Sequence, residues 1–252
     1  MMIKNGVDPT AVGGHAAEQY DLADAHISWS PPKVGVPVLW WRSVENTHMA
    51  YSKEVMIDEL AQAAGQDPVA FRLALLGKHP RHVGALKLAA EKAGWDAPFS
   101  KEKGRGRGVA VHESFGSVVA QVAEVTVSGN KISVDRVVCA VDCGIAVTPD
   151  VVKAQMQSGI GYGLSAALYG KITLTDGHVD QTNFHQYLVL RINDMPRAIE
   201  VYIVPSTNPP SGVGEPGTPP IAPAVANAVR AATGIRLHTL PFDLAAARRA
   251  HA

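Results

Sequence analysis

The sequence predicts an α+β fold in which hairpins and strands pack with helices. Three observations carry this. Apolar residues recur at helical spacing between positions 47 and 93, in segments closed by glycine. Runs of β-branched residues begin near Gly108, separated by turn dipeptides. Neither an alternating βαβ rhythm nor a repeat of fixed period runs through the chain.

Residues 1–38, with Gly13-Gly14 and Pro31-Pro32, read as an irregular connecting segment. Residues 39–107 read as an α-rich subregion. Met49, Val55, Met56 and Leu60 make an apolar stripe on a helix over 47–64, and Gly65 stops it. Asp67-Pro68 supplies an N-cap and an N1 proline for a second helix that ends at Gly77. A third covers 81–93, closed by Gly94, and GRGRG at 104–108 reads as a loop. Residues 108–252 read as an α+β subdomain. VAVHES, SVVAQVAEVTV and KISVDRVVCAVD are strands, with Ser128-Gly129-Asn130 as a hairpin turn. Thr148-Pro149 opens a helix to about residue 168 whose centre is GIGYG, Gly159 to Gly163. Each of its three glycines costs roughly 1 kcal/mol against alanine, so a close backbone or a cofactor must be the reason for them. KITLTDGHVDQ is a hairpin about Asp176-Gly177, AIEVYIVP a strand, and 223–233 a helix stopped by Gly234.

Composition removes several classes of function. Lys+Arg and Asp+Glu number 23 each, so net charge gives no case for nucleic acid or an anionic membrane. No stretch of 18 apolar residues exists, so no membrane span is expected. The start, MMIKNGVDPT, lacks the apolar core of a secretory signal, which leaves a cytoplasmic or a periplasmic location open. Cys139 and Cys143, spaced C-x₃-C in an apolar run, read as buried thiols. His112-Glu113 is not part of an H-E-x-x-H motif, and His79 and His82 read as solvated residues at a helix start. GIGYG does not fit the dinucleotide fingerprint, and neither a nucleophile elbow nor a P-loop is present.

Two stretches remain. In VLWWRSVENTH, 38–48, adjacent tryptophans precede an arginine, which fits core packing with a snorkelling Arg42 as well as it fits a site. In SGVGEPGTP, 211–219, Glu215 stands between Gly214 and Pro216. Glycine lets a ligand approach closely and proline fixes the backbone. A turn with an incidental carboxylate would show the same residues.

Taken together, the stretches resemble one family. SGVGEPGTPPIAPAVANAV is similar to the C-terminal active-site segment of the molybdenum hydroxylases, the xanthine dehydrogenase and aldehyde oxidase family. VLWWRSVENTHMAYSKEVMIDELA resembles that family's aromatic-Arg segment, and VDCGIAVTPDVVKAQMQSGIGYGLSAAL its cofactor-contacting helix. GRGRGVAVHESFGSVVAQVAEVTV looks most like the branch of isoquinoline 1-oxidoreductase-type molybdopterin-binding subunits, which includes bacterial aldehyde dehydrogenases. The likeness covers about residues 5 to 245.

The resemblance implies a molybdopterin cofactor, in its cytosine dinucleotide form, and hydroxylation of N-heterocyclic aromatics or oxidation of aldehydes. It implies Glu215 as general base on a molybdenum-bound hydroxyl. It places Trp41, Arg42, Gln155, Gly159, Gly161, Gly163, Gly212 and Gly214 against the cofactor. Electrons would leave through iron–sulfur clusters on a partner chain, a 2Fe-2S small subunit, with a cytochrome c as a further partner. Large subunits of that branch are much longer. Their N-terminal portion and their Gly-Gly-Phe-Gly and Gly-Gln-Gly pterin contacts have no counterpart here. The expectation is therefore a C-terminal fragment, or a split-gene product that assembles with the missing N-terminal part. The rival is a non-catalytic assembly or structural protein that keeps the fold without molybdenum.

Overall fold

A computed structural model describes residues 19–250 except 25, 27–29, 31–34, 37–38 and 101. Gly13-Gly14, Pro31-Pro32 and most of the segment 1–38 lie outside the described residues; its described part holds no helix or strand.

Three helices come first: α1 (Asn46–Ala63), α2 (Pro68–Leu75) and α3 (Pro80–Lys92). Their ends form for local reasons. The Asp67 carboxylate accepts from the amides of Val69 and Ala70, and Pro68 occupies the first helical turn. Gly65 and Gly94 close α1 and α3 at φ +64° and +62°, conformations costly for other residues.

The apolar stripe expected on α1 is half right. Met49 and Val55 are buried, but Met56 and Leu60 are exposed. The helix instead turns Glu54 and Asp58 inward, because buried Arg72 of α2 stands there to pair with them. Glu54 receives Arg72 Nε at 2.9 Å, the Val111 amide at 3.0 Å and the Tyr20 hydroxyl at 2.7 Å. Four accepting contacts, counting Arg72 Nη2 on the Glu54 carbonyl, tie α1 to α2, to the sheet and to the chain before α1.

The main sheet begins with β1 (Arg105–Ser114), β2 (Ser117–Ser128) and β3 (Lys131–Asp142), which form an antiparallel meander. A long crossover follows, made of α4 (Pro149–Leu168) and the small hairpin β4 (Leu174–Thr175) and β5 (His178–Val179). It brings β6 (Ala198–Ile203) beside β3 in parallel, a pairing that needs such a crossover. The strand order is β1-β2-β3-β6. Helix α5 (Ile221–Thr233) follows the loop after β6, and α6 (Leu244–Ala250), absent from the sequence reading, ends the described chain.

Strand alternation divides the core between the two sheet faces. Val109, Val111, Val118, Ala120, Val122, Val138 and Ala140 pack with the side that carries α2 and α3. Ala110, Val119, Ala123, Val137, Cys139 and Val141 pack with the side that carries α4 and α5. Helices thus cover both faces of a mixed sheet.

GRGRG is not a loop: residues 105–108 open strand β1. Glycine disfavours strands, but here α5 decides. A Cβ on Gly106 would sit 2.1 Å from the Ala228 carbonyl oxygen, and one on Gly108 would sit 2.2 Å from the Ala228 nitrogen. The two bare positions let the helix backbone lie directly on the strand. His82 is also unlike its expected solvated form. It is buried at 3% exposure because α3 lays it on the sheet, 3.6 Å from Glu113. Burial, then the charges of Lys53, His79 and Arg81, push its pKa down to about 3, so the ring is neutral at pH 7 and that contact is not an ion pair. No helix among the described residues is long and apolar enough to cross a membrane.

Candidate active site

The loop between β6 and α5 is anchored from three sides. The Ser211 amide donates to the Cys143 carbonyl at 2.9 Å. Ser117, at the start of β2, gives its one hydroxyl proton to the Gly212 carbonyl at 2.7 Å, so Ser211 supplies the proton of the 2.7 Å hydroxyl–hydroxyl contact. Gln121, buried mid-strand on the α4–α5 face, donates to the Gly217 carbonyl at 2.8 Å.

Helix α4 meets this loop backbone to backbone. A Cβ on Gly159 would stand 2.9 Å from the Gly217 carbonyl carbon, and one on Gly163 would stand 2.7 Å from Ile221 Cγ2 and 2.9 Å from the Thr218 oxygen. Gly217 answers with its own bareness, 3.0 Å from the Met156 backbone. Of the two reasons expected for helix glycines, these two positions show the close backbone. Gly161 faces elsewhere and meets only Met195 side-chain atoms at ordinary contact, 3.5 and 3.6 Å.

The aromatic-Arg segment closes the arrangement. Arg42 donates through Nε to the Gly214 carbonyl at 2.9 Å, with Nη2 reaching the same oxygen. Its fork continues to Gln155 Oε1 at 3.1 Å and Ser158 Oγ at 3.0 Å, both on α4. Trp41 stacks on Tyr162 of α4 with ring centroids 4.7 Å apart, and the guanidinium lies 5.6 Å from the same ring. The next residue, Ser43, is fully buried and left-handed at φ 71°, followed by Val44 at φ 51°. This bend aims the Ser43 amide at Glu215 Oε1, 2.9 Å away, while the Ser43 hydroxyl donates to the Glu215 carbonyl at 2.7 Å. Glu215 is half-buried, and Gly212 and Gly214 beside it are exposed. Nothing lies within 4 Å of the side chain that Gly214 lacks.

The structure therefore gathers Trp41, Arg42, Gln155, Gly159, Gly163, Gly212, Gly214 and Glu215 around one loop. Ser43, Gln121, Ser158, Tyr162 and Gly217 complete it, and sequence reasoning did not single them out. All five lay inside the quoted stretches; Ser43 meets the carboxylate through its backbone amide, which no residue pattern announces. Phe115 is a further addition, an exposed aromatic in the left-handed β1–β2 turn whose Cβ lies 3.7 Å from the missing Cβ of Gly212. The thiols stand apart. Cys139 and Cys143 are buried, and burial pushes Cys139 up to about 12, which keeps it protonated. Among the described residues no group of three or more His, Cys, Asp or Glu could hold a metal ion.

Comparison with known proteins gives this geometry a setting. A family model described as molybdopterin cofactor-binding domain matches residues 16–196, ending before Glu215. The chain is 36% identical over 241 residues to the beta subunit of isoquinoline 1-oxidoreductase from Brevundimonas diminuta, covering 94% of this chain and 30% of that protein. It is 32% identical to a nicotinate dehydrogenase subunit of Pseudomonas putida, covering 92% of this chain and 21% of the relative. The chain thus spans less than a third of these relatives. The crystal structure of aldehyde oxidoreductase from Desulfovibrio gigas shares the fold, with a TM-score of 0.63 at 13% identity over 80% of this chain and 40% of that one.

Proposed function

The chain belongs to the molybdopterin cofactor-binding domain family, and from that premise we propose that it is the C-terminal part of a molybdenum-dependent oxidoreductase with Glu215 as its general base. The substrates we assign are N-heterocyclic aromatics of the isoquinoline type or aldehydes, in line with the names of two relatives, isoquinoline 1-oxidoreductase and a membrane-bound aldehyde dehydrogenase that is 34% identical over 222 residues. The observation that carries the reading is the Glu215 carboxylate. It is held through one oxygen by the Ser43 amide on a loop fixed by Arg42, beside exposed, glycine-bordered ground.

The residues present fit the group. Among the described residues Arg42 is bonded only to neutral acceptors, so its positive charge stands uncompensated at the edge of the site, suited to an anionic pterin. Gly214, with nothing within 4 Å of its missing Cβ, leaves clearance for a bulky ligand, and Gly212 beside it is exposed. Trp41 and Gln155 flank that edge, and Gly161 is the helix glycine for which the fold itself shows no steric need. Gly159 and Gly163 serve the same site indirectly, by letting α4 seat the loop. When bound, the cofactor supplies the oxygen-transfer and two-electron chemistry. Glu215 accepts the proton at Oε2, to which no described residue donates; the Ser43 amide keeps Oε1 engaged. The cofactor form we assign is the cytosine dinucleotide, with iron–sulfur clusters on a 2Fe-2S partner chain and a cytochrome c beyond it. The remaining part of the molybdopterin-binding polypeptide is the other partner.

The test is co-expression with the rest of such a polypeptide and its 2Fe-2S partner, followed by metal analysis and a dye-reduction assay with N-heterocycles and aldehydes. Bound molybdenum with substrate-dependent dye reduction is expected. Absence of molybdenum in every pairing contradicts the proposal and favours the non-catalytic rival.

A further inference from the structure

We infer that the dipeptide Arg42-Ser43 is a positioning clamp that sets which oxygen of Glu215 works. The inference rests on Glu215 being the base. Its basis is the direction of the donors. Three groups of two consecutive residues converge on Gly214 and Glu215: the Arg42 fork on the Gly214 carbonyl, the Ser43 amide on Oε1, and the Ser43 hydroxyl on the Glu215 carbonyl. The carbonyls of the peptides before and after Glu215 are thereby fixed, and one side-chain oxygen with them. Two further Arg42 donors go to Gln155 and Ser158, so the clamp is itself referenced to α4. Tyr162 and Trp41 stack beneath it.

The backbone conformation is the second, independent observation. A left-handed conformation is strained where the residue is not glycine, and Val44, β-branched, is a poorer candidate for that region still. Two such residues in succession, φ 71° and 51°, occur at the one bend whose amide meets Glu215. With ordinary φ at Ser43 the amide would point away. Conformational strain at 43–44 is thus exchanged for a fixed carboxylate, which is preorganisation rather than substrate recognition.

The test separates the clamp from the function it serves. Hydrogen exchange on the chain reads the clamp directly. In Glu215→Ala the amide in the 41–46 peptide should exchange at least about tenfold faster, by loss of one charge-assisted hydrogen bond. Unchanged exchange overturns the clamp whatever the enzyme does. In the molybdenum-loaded assembly, Ser43→Val, which resists left-handed φ, should lower kcat at least about 100-fold with KM altered less than about threefold. Ser43→Gly keeps the bend and the amide and loses one neutral hydrogen bond, so kcat should fall only about fivefold. A Val variant with wild-type kcat overturns the positioning role. If that variant does not fold, exchange in Ser43→Gly decides: a protected amide supports the clamp and an unprotected one overturns it. An active Glu215→Gln instead removes the general-base reading and leaves the clamp standing.

Discussion

At the scale of single residues, His82 offers a measurement that needs no cofactor. Its folded pKa is about 3 against an ordinary 6.5, so the unfolded chain binds the proton more tightly. The stability it contributes is complete above pH 6.5 and is lost as pH falls from there toward 3. Melting of the chain at pH 7 and pH 4.5 should show a loss of roughly 2 kcal/mol from this group, and His82→Gln should lose less than wild type. An equal acid loss in both would place the effect elsewhere. That Glu215 and Arg42 belong together was legible in the sequence through their motifs, and the structure brings both to one loop. Ser43 was not, since what it offers the Glu215 carboxylate is an amide that every residue but proline possesses.

Among elements, α4 makes opposite demands at two of its glycines. Gly161→Ala should stabilise the chain by up to about 1 kcal/mol, since helix propensity is the only term in play, whereas Gly163→Ala meets the Thr218 carbonyl oxygen and Ile221 and should cost about 1–3 kcal/mol. Thermal unfolding of the two variants gives the signs, and matching signs would refute the backbone contact. At Gly108 a methyl group would fall on the Ala228 nitrogen and the Ala224 oxygen, so Gly108→Ala should separate α5 from β1. Capped and turned elements could be read from local chemistry: Asp67-Pro68, Gly65, Gly94, Asp176-Gly177 and Gly234 all sit where expected. GRGRG could not, because a partner distant in sequence overrules the weak strand propensity of glycine. The parallel β3–β6 pairing was equally hidden, since no local pattern records which strand lies beside β3.

For the whole molecule, the buried Glu54–Arg72–Asp58 group joins α1 and α2 to the edge strand β1, and Asn227 of α5 bonds the Glu54 carbonyl at 3.3 Å. Glu54→Ala leaves the buried Arg72 guanidinium without its Nε partner and with Asp58 as its one remaining paired carboxylate, and should cost about 3–5 kcal/mol in denaturant unfolding. That same frame sets the segment from Trp41 to Val44, which leads into α1, opposite the loop that leads into α5. Glu215 and the Ser43 amide are 172 residues apart in sequence, and they meet because α1 and α5 are fixed on one sheet. The central claim is that this meeting makes Glu215 a working base. It is tested most directly by the turnover of Glu215→Gln per bound molybdenum in the assembled protein. Turnover at least about 100-fold below wild type at equal molybdenum content is the expected result; turnover equal to wild type would contradict the claim.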